Sequence, residues 1–120
     1  MIQLLTKVNI IDNTGGLQGR CIKIIKPHNR DYGLIGDIIL VSVIKTITSS
    51  NIKKGDVFKA LIVRTKSSNA IDYRWSDNAV ILLSSKDFMP IGTRIKGAIS
   101  RKLIKKKGNY KYLSLAKYII

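Results

Sequence analysis

Glutamate is absent from this chain, and seven aspartates are its whole acidic inventory. Twenty-two lysines and arginines stand against them, giving a formal net charge of +15 over 120 residues. With so few carboxylates the surface cannot neutralise its own cations through internal ion pairs. It repels itself unless an anionic partner lies against it. Histidine and cysteine are each present once. His28, Cys21 and a set of aspartates leave no paired acid and base for proton transfer and no activated nucleophile, so the sequence predicts no enzyme. A lone cysteine also rules out an internal disulfide, and Cys21, between Arg20 and Ile22, fits a small buried apolar residue. A metal would have to be held by Asp12, Asp37, Asp56 and their like. Each falls beside a Gly, an Asn or a strand entry, where aspartate ordinarily shapes a turn. The stretch from Gly92 to Gly97 is followed by Ala98-Ile99 where a phosphate loop requires Lys and then Ser or Thr. No cofactor and no metal are expected. No membrane span is expected either: Ser42 and Lys45 interrupt the longest apolar run, far short of the roughly 18 consecutive apolar residues a span requires.

What the chain has is enough apolar material, 45% of residues, for one small core, so a single domain over 1–120 is expected. Turn and breaker signals divide it into five strand candidates at 7–11, 19–26, 37–48, 57–66 and 79–84. Five short strands with such turns predict a mainly β fold, a small five-stranded β-barrel. In the third run Ile38, Leu40 and Ile44 point one way while Ile39, Val41 and Val43 point the other, so both faces need cover. A barrel interior supplies one, and the C-terminal segment or a bound RNA supplies the other. After a strand-like stretch over 94–99, Ser100 can cap a helical turn over 101–107 that Gly108 stops. So short a helix must dock through Leu103 and Ile104 to persist. The expected division is a barrel to about residue 99 and a helical C-terminal segment from about 100 to 120.

The cations are candidates for phosphate contacts, and arginine's planar fork makes the sharper ones. On charge and placement, Arg20, Lys23, Lys26, Arg30 and Lys45 are expected to bind RNA from the first half of the chain. Lys53, Lys54, Lys59, Arg64 and Lys66 are expected to do so from the fourth strand and its entry. Tyr32, Tyr73 and Trp75, beside Arg30 and Arg74, suit either base stacking or packing.

The run 52–66 is the most distinctive stretch: an apolar strand core bracketed by cations and entered through a Gly55-Asp56 turn. With Met1-Ile2-Gln3, Asp12-Asn13-Thr14-Gly15-Gly16, Cys21-Ile22-Lys23-Ile24-Ile25, Gly36-Asp37-Ile38-Ile39, Pro90-Ile91-Gly92-Thr93-Arg94-Ile95 and Ser114-Leu115-Ala116, it makes an ordered series of blocks. The series resembles the bacterial-type universal large-subunit ribosomal protein fourteen family along nearly the whole chain. That resemblance implies a five-stranded barrel with short C-terminal helices, acting as a structural constituent of the large ribosomal subunit. The implied partners are large-subunit rRNA, neighbouring large-subunit ribosomal proteins and small-subunit rRNA at a bridge. A ribosome-silencing factor is a further implied partner, through a subunit-facing surface that here corresponds to Thr93, Arg94, Arg101 and Lys111. The alternative from another class is a free-standing barrel module that binds single-stranded nucleic acid.

Departures from the family pattern concentrate in two places. The connection 67–76 is shorter than usual, lacks an Asp-Gly turn and carries Trp75 in place of Phe or Tyr. Near the end, Lys102 replaces Glu, and Lys117-Tyr118 replaces Pro-Glu, which adds positive charge. Because Met1-Ile2-Gln3 already matches the family's start, no cleaved leader is expected. Ile occurs 21 times, Lys 16 and Asn 7, residues of A- and T-rich codons. This bias predicts synthesis in an A/T-rich compartment, with a mitochondrion and its matrix ribosome as first choice and a plastid or bacterial cytoplasm as alternatives.

Overall fold

Short apolar runs bounded by Gly and Asp turns pair edge to edge in the computed structural model, which describes residues 2–25, 32–48, 50–66, 75, 77–86, 89–99, 103 and 116–119. Five strands, β1 (Lys7–Ile10), β2 (Gly16–Ile24), β3 (Ile38–Thr46), β4 (Val57–Arg64) and β5 (Ala79–Leu83), follow one another around a closed barrel. Successive strands are antiparallel. A parallel contact closes the ring, with Asn9 opposite Ala79 and Ile10 opposite Val80. Closure pairs the backbone groups that an open sheet would leave at its edges.

Each expected strand is present. The largest difference is the start of β2, which begins at Gly16 rather than at residue 19. Register shifts on either side of Gln18 let the strand continue through this glycine-rich stretch. At Gly19 an added Cβ would lie 2.1 Å from Val41 Cγ1. The glycine therefore marks a close approach inside the barrel, not a break in the strand.

Alternation sorts the apolar residues into two cores. Val8, Ile10, Cys21, Ile39, Val41, Val43, Ala60, Ile62, Val80 and Leu82 belong to the first, in the barrel interior. Leu61 and Val63 of β4 and Ala79, Ile81 and Leu83 of β5 face the other way into the second. Ile11, Ile95, Ile99 and Leu103 cover that outer wall. The C-terminal part of the chain thus covers a second face, but principally that of β4 and β5. From β3 only Ile38 packs against this cluster, while Leu40 and Ile44 stay half-exposed.

Two further strands, β6 (Ile95–Ile99) and β7 (Ala116–Ile119), form a parallel pair. Part of the segment expected to be helical is therefore a strand. The expected helix over 101–107 lies outside the described residues except for Leu103, which is fully buried in the second core.

Three aspartates shape turns, as their sequence settings predict. Asp12 accepts from the Thr14 N–H at 3.2 Å, Asp37 from the Leu34 N–H at 2.8 Å and Asp56 from the Lys53 N–H at 2.9 Å. Each side chain satisfies a donor that would otherwise be lost at a strand entry.

Candidate nucleic-acid interface

Residues alternate in and out along a strand, so burying one set obliges the other to face outward. On β2 and β3 the outward set includes cations. Lys23 and Lys45 are exposed, and Arg20 is half-buried directly opposite exposed Lys7. The entry to β4 adds exposed Lys53 and Lys54. Asp56 fixes their turn by accepting from the Lys53 N–H, and the Gly55 N–H donates to the Val43 carbonyl at 2.8 Å. That bond holds Lys53 and Lys54 against β3, whose Lys45 lies two residues beyond Val43. Three exposed ammonium groups are thereby gathered at one end of the β3–β4 hairpin. Crowding of like charges in water is tolerable at this density and becomes favourable once a phosphate chain displaces its counterions.

The remaining expected contacts fall elsewhere. Lys59 is half-buried, and its ammonium donates to the Ser85 carbonyl at 3.4 Å. Lys66 is exposed beyond β4, with its backbone N–H bonded to Asn78 Oδ1 at 2.8 Å. Arg64 is committed inside the protein: it pairs with Asp77 at 3.2 Å and lies 5.8 Å from the centre of the Trp75 ring. Its side chain is only 14% exposed. Trp75 itself packs against the second core, so of its two sequence readings packing is the one observed. Lys26, Arg30, Arg101 and Lys111 lie outside the described residues.

Across the molecule from sequence position 12 to 94, two loops are locked together. Asp12 is buried, and one carboxylate oxygen accepts from the Thr14 N–H and, at 2.5 Å, from the Thr14 hydroxyl. The other accepts from the Leu82 N–H at 2.9 Å, tying the loop to β5. Asn13, next in sequence, then grips the Gly92-Thr93-Arg94 turn. Its Oδ1 accepts from the Thr93 N–H at 2.8 Å and the Arg94 N–H at 3.3 Å, and its Nδ2 donates to Thr93 Oγ1 at 2.8 Å. An added Cβ at Gly92 would lie 2.8 Å from Asn13 Oδ1 and 2.9 Å from Asp12 Cβ. Only glycine lets the two loops approach this closely. Beyond the clasp, the Lys96 N–H donates to the Ile11 carbonyl at 2.6 Å. Thr93 and Arg94 are both exposed, so the clasp presents the Arg94 guanidinium outward from a fixed backbone. Sequence reasoning named Thr93 and Arg94 and missed Asp12 and Asn13 as their supports. The available signal was that both loops are blocks of one family pattern.

Cys21 is fully buried in the interior, where its thiol donates to the Lys23 carbonyl. Burial pushes the thiol above the ordinary value of 9.0, with a smaller opposing effect from the backbone at Lys23. No cluster of three or more His, Cys, Asp or Glu side chains able to hold a metal occurs among the described residues. No helix long and apolar enough to cross a membrane occurs among the described residues.

Closed barrel, exposed cations on β1 to β3 and the entry to β4, and a clasped, arginine-tipped turn define a small basic scaffold protein. The family model for ribosomal protein L14p/L23e matches residues 1–120, and the chain belongs to that family. It is a structural protein of the ribosome, and ribosomal RNA and ribosomal proteins are its partner classes.

Proposed function

We propose that the chain is a structural constituent of the large subunit that binds large-subunit rRNA through its open cationic side and contributes a bridge to small-subunit rRNA through its clasped turn. The observation that carries this reading is the family match over 1–120, joined to the gathering of Lys45, Lys53 and Lys54 at one hairpin end. Lys23, Lys59 and Lys66 extend the rRNA surface, together with Lys26 and Arg30. Arg64 acts mainly by bracing the end of β4 through Asp77. Thr93 and Arg94, with Arg101 and Lys111, form the subunit-facing surface, which is also where a ribosome-silencing factor would compete. The whole chain acts as one domain, and its abundance of Ile, Lys and Asn supports a mitochondrial ribosome, with a plastid or bacterial cytoplasm as alternatives.

Gradient sedimentation of an extract tests the reading: the chain should travel with the large subunit. Reversing charge at the bridge separates its two halves. Arg94→Glu replaces attraction with repulsion at an exposed contact while leaving the core untouched. Large subunits carrying it should assemble normally and join small subunits poorly. Normal yields of joined ribosomes would remove this surface from the bridge.

A further inference from the structure

The outer face of the β1–β2 ribbon carries a second, different surface. The Leu5 N–H donates to the Cys21 carbonyl at 2.6 Å and the Cys21 N–H to the Thr6 carbonyl at 2.9 Å, so that Leu5 and Thr6 together stand opposite Cys21, with Ile22 next along β2. Two residues further along, Lys7 stands opposite Arg20. Cys21 and Val8 point into the barrel, so Ile22, Lys7 and Arg20 face outward. Leu4, Leu5 and Ile22 are 59%, 68% and 40% exposed. Leu5 is also held with φ at 68°, a left-handed conformation that leucine rarely adopts. The Gln3 N–H bonded to Thr6 Oγ1 and the Thr6 N–H bonded to the Gln3 carbonyl fasten this turn. Like charges directly across a strand pair repel each other, and the Arg20 Nε has no hydrogen-bond partner among the described residues. An apolar patch of Leu4, Leu5 and Ile22 therefore adjoins an unneutralised cationic rung, with Ile22 about 7 Å from Arg20 at the spacing of two strand residues.

We infer that this ribbon is the docking surface for an extended segment of a neighbouring ribosomal protein, one that carries a carboxylate two residues from an aliphatic side chain. The inference rests on the ribosomal reading above and assigns Lys7 and Arg20 to that carboxylate. A phosphate chain would satisfy the cations but leave Leu4, Leu5 and Ile22 against water or ribose, whereas an apolar-acidic segment covers both. Acids are few in this chain, and of the described ones Asp12, Asp37 and Asp56 shape turns while Asp77 pairs with Arg64.

The test is photocross-linking from a photoreactive side chain placed at Leu5 in the full chain, after its incorporation into salt-washed large subunits. The expected product is a cross-link to a protein peptide in which Asp or Glu lies within two residues of an aliphatic side chain. Leu5→Ser and, separately, Lys7→Glu should each lower retention of that protein in the wash by about fivefold or more, a loss of roughly 1 kcal/mol. The chain itself should stay bound. Cross-linking to rRNA, to a peptide without such a carboxylate, or to nothing while the chain sits in the particle would overturn the docking proposal alone. A chain that does not enter the particle would overturn the ribosomal reading, and this proposal with it.

Discussion

The two sides of the barrel are finished differently. On β4 and β5, residues 60–63 and 79–83 are buried throughout, because the second core covers the outer wall that the first core leaves bare. On β1 to β3 the interior is packed just as completely, yet the outward positions carry Lys7, Lys23 and Lys45 and the exposed Ile22. Among the described residues the chain covers the outer wall of β4 and β5 and leaves that of β1 to β3 largely open. Burial on both faces concentrates stability in β4 and β5. In a protein with +15 net charge, cations left on an uncovered wall repel one another until an anionic partner neutralises them.

The contrast is broken most directly by paired substitutions. Leu82 is fully buried in the interior, and Leu82→Ala should cost about 2–5 kcal/mol in urea unfolding through lost transfer energy and the cavity left behind. Lys45→Ala on the open wall should change stability by about 0.5 kcal/mol or less. A similar cost at both positions would show that the open wall is not an unburdened surface.

The clasp at Asn13 is the next largest effect. Asn13→Ala removes three hydrogen bonds to the 92–94 turn, with an expected cost of about 1–3 kcal/mol because the strand-capping donors lose their acceptor. Amide exchange at Thr93 and Arg94 should accelerate at least about fivefold, and subunit joining should weaken as the Arg94 backbone loses its fixed position. Unchanged exchange there would mean that the turn is held by other contacts.

Charge removal on the open wall should alter affinity without altering fold. Lys53→Ala combined with Lys54→Ala should lower the slope of log affinity against log salt by roughly one to two units, as two counterion-releasing contacts are lost. Filter binding to large-subunit rRNA fragments across a salt series measures it. An unaltered slope would place the rRNA away from this hairpin end.

The smallest effect is at Cys21. Its thiol titrates above 9.0 when folded because burial disfavours the thiolate. Below 9.0 the thiol is protonated in both states and the contribution to stability is complete. As pH rises from 9.0 through the raised folded value, the unfolded chain releases its proton first, and that contribution is lost. Alkylation at pH 8 should therefore be slow in the folded chain, and Cys21→Ala should soften the alkaline decline in stability. Rapid modification of the native protein would contradict interior burial.

Much of the barrel was legible because strand pairing and burial act on neighbouring residues. Ile39, Val41 and Val43 alternate with Ile38, Leu40 and Ile44 in β3 as their spacing predicts, although Leu40 and Ile44 are left half-exposed where cover was expected, and Asp56 and Asp37 shape the turns that their Gly neighbours announce. Two local readings were displaced by tertiary structure. Gly19 looked like a strand start and is an interior approach to Val41, and Ala116–Ile119 pairs with β6 where helix was expected. Backbone partners supplied by a distant strand override local propensity.

By itself the sequence determined the strand periodicity, the excess of cations over acids and the family pattern, all properties read from composition or from positions a few residues apart. Only the tertiary structure decided which wall receives the second core, that Asn13 holds Thr93 from 80 residues away, and that Arg64 spends its guanidinium on Asp77 while Lys45, Lys53 and Lys54 remain exposed. A charge count says how many cations exceed the available carboxylates. Which particular cation meets one is set by barrel closure, which brings the end of β4 beside Asp77 and the loop before β2 beside the turn before β6.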